Sequence, residues 1–109
     1  MSRTSLKKGS AELLILAIVA EQPRHGYEIG KLIERRSAGR IQFHISSLYP
    51  VLRSMQNRGW ITGRWIEGSG RRRRHYQLTA RGEHILNEQR AHWRAFADAV
   101  EQVIGAEHA

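Results

Sequence analysis

Four consecutive arginines, Arg71 to Arg74, follow a break at Glu67-Gly68-Ser69-Gly70 and form the only biased tract in the sequence. A guanidinium stays protonated and presents a planar fork of N–H donors, so such a cluster suits binding of anionic oxygen, not proton transfer. A second set stands at Tyr49, Arg53 and Gln56, spaced 4 and 3, which places all three on one face of a helix. That face can donate and accept hydrogen bonds: Arg matches O6 and N7 of guanine, and Gln matches N6 and N7 of adenine. Ser46 and Ser47 lie about a turn earlier, where hydroxyls and helix N-terminal amides can take a phosphate. Plainer readings stand beside these. Tyr49 could be half-buried packing, and the arginines a solvated strand edge that discourages aggregation.

Other chemistries fail on the residues present. There is no cysteine, hence no disulfide framework, thiolate metal site or thiol nucleophile. His84, Glu88 and His92 share a helix face, but the outer pair would lie about 12 Å apart along the axis, too far for one ion. They read as a solvated face. No Ser-His-acid set, phosphate loop or paired carboxylates emerge, so the expectation is no enzyme, no cofactor and no metal.

The balance of the whole chain agrees with the two sets. Lys and Arg outnumber Asp and Glu by 18 to 10, giving a net charge of +8, and fifteen of the cations are Arg. A pI near 11.0 favours a polyanionic partner over mere solubility once the charge is clustered. The 109 residues have room for one domain, and 40% hydrophobic content with three tryptophans supports only a thin core that a partner chain could complete. The most apolar run, Leu13 to Ala20, is eight residues against the roughly 20 needed to span a bilayer. With no secretory cleavage pattern and no cysteine, the expected location is the cytoplasm, away from any membrane.

The elements that must position these side chains can be read in order. Leu13 to Ala20, after a candidate cap at Ser10 and closed by Pro23, predict a buried helix. A second helix is predicted from Gly26 to Arg36, with Ile29, Leu32 and Ile33 as its buried stripe. Ser37 to Arg40 form a turn, and Ile41 to Phe43 a very short strand. The third helix has Ser46 or Ser47 as cap, Pro50 in its first turn and Gly59 at a left-handed end; Leu48, Val51, Leu52 and Met55 face inward. Trp60 to Ile66 and His75 to Leu78 then make a hairpin around the glycine-containing break, with the arginines on its returning arm. Because strand residues alternate, about half the arginines face any one surface. Thr79 caps a long helix to about Ile104, although Gly82 in place of an acid denies it a capping box.

This order predicts a mainly α fold with a small β-hairpin: a winged helix-turn-helix over residues 1–79, then a C-terminal dimerisation helix over 80–109 packed on the same core. The third helix would enter the major groove and the hairpin would be the wing, with Arg71, Arg72, Arg73 and Arg74 on phosphate or in a minor groove. Trp93, Phe96, Val100 and Val103 recur at spacings of 3, 4 and 3, a seam suited to pairing two copies, although it could also fold back on the first helix. A homodimer would ask for double-stranded DNA with a near-palindromic operator. An aromatic at a two-fold axis presents paired flat faces, so Trp93 is also a candidate contact for a small aromatic effector, against plain interface packing.

The chain resembles the PadR family through His25-Gly26-Tyr27-Glu28-Ile29, Ser47-Leu48-Tyr49-Pro50 with Leu52-Arg53, Arg58-Gly59-Trp60-Ile61, and His75-Tyr76-Gln77-Leu78-Thr79 with Gly82. The resemblance covers nearly all of the chain and implies a dimeric winged-helix regulator, commonly a repressor, sometimes released from its operator by a small molecule. Two departures stand out. Met55-Gln56 replaces a frequent Leu-Glu pair, and Arg72 stands where the family's wing often has proline, which implies a more basic, less rigid wing. The alternative reading is a general nucleic-acid-binding or architectural protein using the same surface.

Overall fold

A computed structural model arranges the chain as α1 (Arg3–Glu21), β1 (Arg24–His25), α2 (Gly26–Arg36), α3 (Ile45–Asn57), β2 (Ile61–Gly68), β3 (Arg71–Leu78) and α4 (Ala80–Ile104). The structure describes residues 3–68 and 70–105. Residues 1, 2, 69 and 106–109, with the side chains of residues 3–8 and of Arg71, lie outside the described residues, so the expected ends of the first and last segments and the Arg71 contact fall there.

Three expectations are corrected. Ser10 does not cap the first helix but lies inside it, because no proline interrupts the residues before it. Ile41 to Phe43 form no strand: the Ile41 N–H bonds to Ser37 Oγ at 2.9 Å, which occupies the donor a ladder would need. A third strand appears instead at Arg24–His25, with Arg24 opposite Tyr76 and His25 opposite His75, giving the antiparallel order β1-β3-β2. Finally, α3 is capped by His44 and not by Ser46 or Ser47. The amides of Ser47 and Leu48 both bond to the His44 carbonyl at 2.9 Å, so the serines fall in the first turn and Pro50 in the second.

One core joins all the elements. Ile15, Leu16, Ile18 and Val19 of α1 pack with Ile29 and Ile33 of α2, Leu48, Leu52 and Met55 of α3, Ile61 and Tyr76 of the sheet, and Leu86 of α4. Glu21, at the end of α1, accepts both Arg36 nitrogens at 2.6 and 2.7 Å and also takes Arg24 at 3.0 Å. These guanidiniums, Arg36 foremost, hold its carboxyl at about 2. The pair orients α2 on α1, but in exposed surroundings it adds little stability.

The junction of α3, the hairpin and α4 is the tightest part of the fold. Gly59, at φ +78°, ends α3: its amide reaches the Gln56 carbonyl and the Trp60 amide reaches the Met55 carbonyl, each at 3.0 Å. That double closure is a Schellman motif, and it buries Trp60 against the core. Thr79 then binds the corner. Its amide donates to the Trp60 carbonyl at 3.1 Å, while its hydroxyl lies 2.6 Å from the Gly59 carbonyl and accepts from the Gly82 amide at 2.9 Å. A Cβ on Gly82 would collide with the Trp60 carbonyl, so glycine stands there for close approach of the backbones.

Beyond Leu86 the final helix leaves the core. The radius of gyration is 15.9 Å, against about 13 Å for a compact domain of this length, and the longest extent is 62 Å. Among the described residues no helix is long and apolar enough to cross a membrane, and no group of His, Cys, Asp or Glu could hold a metal ion.

Opposite outcomes are expected for two glycine-to-alanine changes. Gly9, in α1, has open space where a Cβ would go, so Gly9→Ala should stabilise by up to about 1 kcal/mol through helix propensity. Gly82→Ala gains the same propensity but must move backbone, and should lower stability by about 1 to 3 kcal/mol in urea unfolding. Equal stabilisation by both changes would show that the corner is not closely packed.

Candidate nucleic-acid interface

The face of α3 turned away from the core is centred on Arg53. Arg53 is exposed together with Ser46, Pro50 and Asn57, whereas Leu48, Leu52 and Met55 are buried. Ser47 is exposed as well. Gln56 lies at the margin of this face and is partly covered. Asn57, which the spacing of Tyr49, Arg53 and Gln56 did not single out, joins Tyr49, Arg53, Ser54 and Arg58 around a shallow recess of about 490 Å³. Taking Ser46 and Arg53 as the axis of the face would have found it, since Ser46, Arg53 and Asn57 cluster on a helical wheel.

Tyr49 serves two purposes. It is 40% exposed, yet its ring lies so close to the start of α2 that a Cβ on Gly26 would sit 2.7 Å from its hydroxyl. The packing reading is met on one side of the ring, which fixes α3 against α2, and the other side remains open to solvent.

The hairpin brings Arg72, Arg73 and Arg74 to one groove with Tyr49. Arg72 and Arg74 share one strand face with Tyr76, while Arg73 turns the other way toward β1. Trp65 pairs with Arg74 across the strands, and its ring lies 5.0 Å from the Arg72 guanidinium and 5.3 Å from that of Arg74. These residues, with Tyr49, Tyr76 and the start of α2, line a groove of about 590 Å³ between wing and helices. Burial foremost raises the Tyr76 phenol above its usual range, so it stays a neutral hydrogen-bonding group beside Arg74.

His25 sits at the opposite lip of the groove. It caps α2, its Nδ1 accepting from the Glu28 amide at 3.3 Å, which leaves the proton of a neutral ring on Nε2. Burial foremost, with smaller contributions from Arg73 and His75, lowers its pKa and favours that neutral form. Its Nε2 lies 3.2 Å from Arg73 Nη1. Arginine has no acceptor, so two donors converge there, with the Glu28 carboxylate the nearest anionic oxygen at 4.0 Å from Nε2. Sequence reasoning passed over His25, Trp65 and Tyr76 because each reads as ordinary strand or cap material until the strands are paired.

The seam on α4 is placed elsewhere. Trp93, Phe96 and Val103 are 49%, 51% and 80% exposed and Val100 is partly covered, all on the part of the helix beyond the core. Trp93 and Phe96 are ring neighbours, 6.1 Å between centroids. His84 and Glu88 form an exposed pair at 3.5 Å.

Comparison with known proteins gives this geometry a family. Over 94 residues the chain is 29% identical to an uncharacterised protein of Lysinibacillus sphaericus, covering 85% of this chain and 86% of that one. It is 34% identical over 82 residues to the transcriptional regulator YqjI of Escherichia coli, which is 75% of this chain but only 38% of the relative's length. A PadR-like transcriptional regulator from Bacillus cereus superposes with a TM-score of 0.82 at 27% identity, covering 94% of this chain and 99% of that one. The model of the Transcriptional regulator PadR-like family matches residues 15–88, from the core of α1 through the wing and into α4. The protein belongs to the PadR-like family of transcriptional regulators, a family of winged-helix regulators and not of enzymes.

Proposed function

We propose that the protein is a dimeric, sequence-specific DNA-binding repressor that reads a near-palindromic operator with α3 and holds the backbone with its wing. The observation that supports this reading is the placement of Arg53 on the open face of α3 and of Arg72 and Arg74 on the hairpin beside it, in two recesses that share Tyr49. Ser46, Ser47 and the first turn of α3 are the proposed phosphate contacts, Arg53 and Gln56 the proposed base contacts, and Tyr49 an edge contact.

Base contacts carry sequence information, whereas phosphate contacts carry affinity and salt dependence, so helix and wing should fail differently. Against an operator selected from genomic fragments, Arg53→Ala or Gln56→Ala should weaken binding by about 1 to 3 kcal/mol, with little change on a random duplex. Fluorescence anisotropy on both duplexes measures this. An operator-to-random ratio that stays unchanged in both variants would overturn the recognition-helix assignment and favour an architectural protein.

Pairing through α4 is supported by the exposed Trp93, Phe96 and Val103 and by the length of helix that stands clear of the core. Two copies laid along this seam would cover apolar surface that one chain leaves in water. Light scattering should give twice the chain mass of 12.5 kDa. Phe96→Glu with Val103→Glu should halve that mass while circular dichroism stays native, and an unchanged mass would remove the seam from the interface.

The same seam is the proposed seat of a small aromatic effector, because Trp93 and Phe96 present adjacent open rings. Planar aromatic compounds should quench tryptophan emission of the unaltered protein and lose that effect in Trp93→Phe. Equal quenching of both proteins would exclude Trp93 from any ligand site.

A further inference from the structure

We propose that Trp65 is a positioning residue for duplex binding, its ring holding Arg72 and Arg74 together in the groove beside α3 so that both engage one DNA backbone. This rests on the duplex-binding reading above and adds which wing arginines carry it and what aims them.

Trp65 is an anomaly as an ordinary strand residue. It is 55% exposed and stands apart from the buried cluster, although indole is among the most favourable groups to bury. Its neighbours explain it. Arg72 and Arg74, two residues apart on β3, bring two positive charges to one strand face, where they repel. The electron-rich ring lies about equally close to both guanidiniums, at 5.0 and 5.3 Å, and offsets that repulsion. Space for the arrangement is provided at Gly63, where a Cβ would collide with the Arg74 guanidinium.

A guanidinium held near an aromatic ring keeps the N–H groups that point away from the ring free for a phosphate. Two arginines held by one ring also lose much of the rotamer freedom that binding would otherwise remove. The direction is set as well. Tyr49 and Tyr76 line the same groove, so the held pair lies between recognition helix and wing, where a strand of DNA would pass from one groove to the next. Arg73 lines the groove too, but from the other strand face, with its Nη1 beside His25.

Coupling between the ring and the arginines is the decisive measurement. Trp65→Ala should weaken binding to a random-sequence duplex by roughly 3- to 10-fold, and Trp65→Phe should recover most of that because a phenyl face still receives a guanidinium. Replacing Arg72 and Arg74 together with Gln should flatten the slope of log affinity against log salt by about two units for each protomer on the duplex in the unaltered chain, and by less in the Trp65→Ala background. Arg73→Gln should have the same effect in both backgrounds. Without DNA, the Arg72 and Arg74 Nε–H resonances should be shifted by the indole ring current, and the shift should vanish in Trp65→Ala. Additive effects of Trp65 and the arginine pair, a Phe variant no better than Ala, or absent ring-current shifts would each overturn the inference while duplex binding itself stands. A chain that binds no duplex at low salt, yet shows the shifts, would overturn the DNA reading and the role assigned to Trp65 with it.

Discussion

The carbonyl of Trp60 is the point on which the arrangement of the surface depends. It receives the Thr79 amide, lies 3.0 Å from the Thr79 hydroxyl and sits directly beneath Gly82. Three elements are therefore fixed at one place: α3 has just ended, the hairpin has just begun and returned, and α4 is starting. The wing's angle to α3 is set by the left-handed Gly59 on one side and by the Thr79 cap on the other. Guanidiniums have no acceptor and cannot bond one another, so it is this backbone corner, not a contact from Arg53 to Arg72, Arg73 or Arg74, that places the wing beside α3.

The charges are organised in two different ways. Arg53 projects from a helix whose other face is locked into the core by Leu48, Leu52 and Met55, so its position is determined by packing. The wing arginines stand on a hairpin whose outer half has little core beneath it, and their positions come from neighbours: Trp65 and Tyr76 on one face, His25 on the other. A base edge must be met to within tenths of an ångström, which suits the packed helix. A phosphate backbone varies in path with sequence and tolerates a more compliant arm, which suits the wing.

Much of this was legible from the sequence because the signals are local. Gly59, Thr79 and the period of Leu48, Leu52 and Met55 each act within one or two turns, and α2 has the bounds that its apolar spacing implies and α4 those of its Thr79 cap. What was not legible depends on partners distant in sequence. Arg24–His25 is too short to show any alternation and becomes a strand only because Tyr76 and His75 lie opposite. The serines of α3 look like better caps than His44, but helix start is decided by where the chain turns out of the Phe43 packing position, not by the cap preference alone. Gly82 reads as a defective capping box, whereas its reason is a backbone 22 residues away. Trp65 reads as β-propensity until the register sets it against Arg74.

The same corner has a consequence for assembly. α4 is tied to α3 through Thr79 and Leu86, with no hinge between the core and the exposed turns that carry Trp93, Phe96 and Val103. In the proposed dimer the two seams meet about a two-fold axis, and each α3 is carried at a fixed offset from that axis by a continuous helix. The separation of two recognition helices, and with it the spacing of operator half-sites, would then be a property of one helix and one corner. Anything lodged between the seams at Trp93 would act on that separation without touching either DNA-facing surface. In that dimer a change of crossing angle at Trp93 would be enlarged along α4, because 13 residues of helix, about 20 Å, separate Trp93 from the corner at Ala80. Under the proposed function, such a lever would be the physical route by which a small aromatic molecule weakens operator binding, since two half-sites held at the wrong spacing cannot both be met.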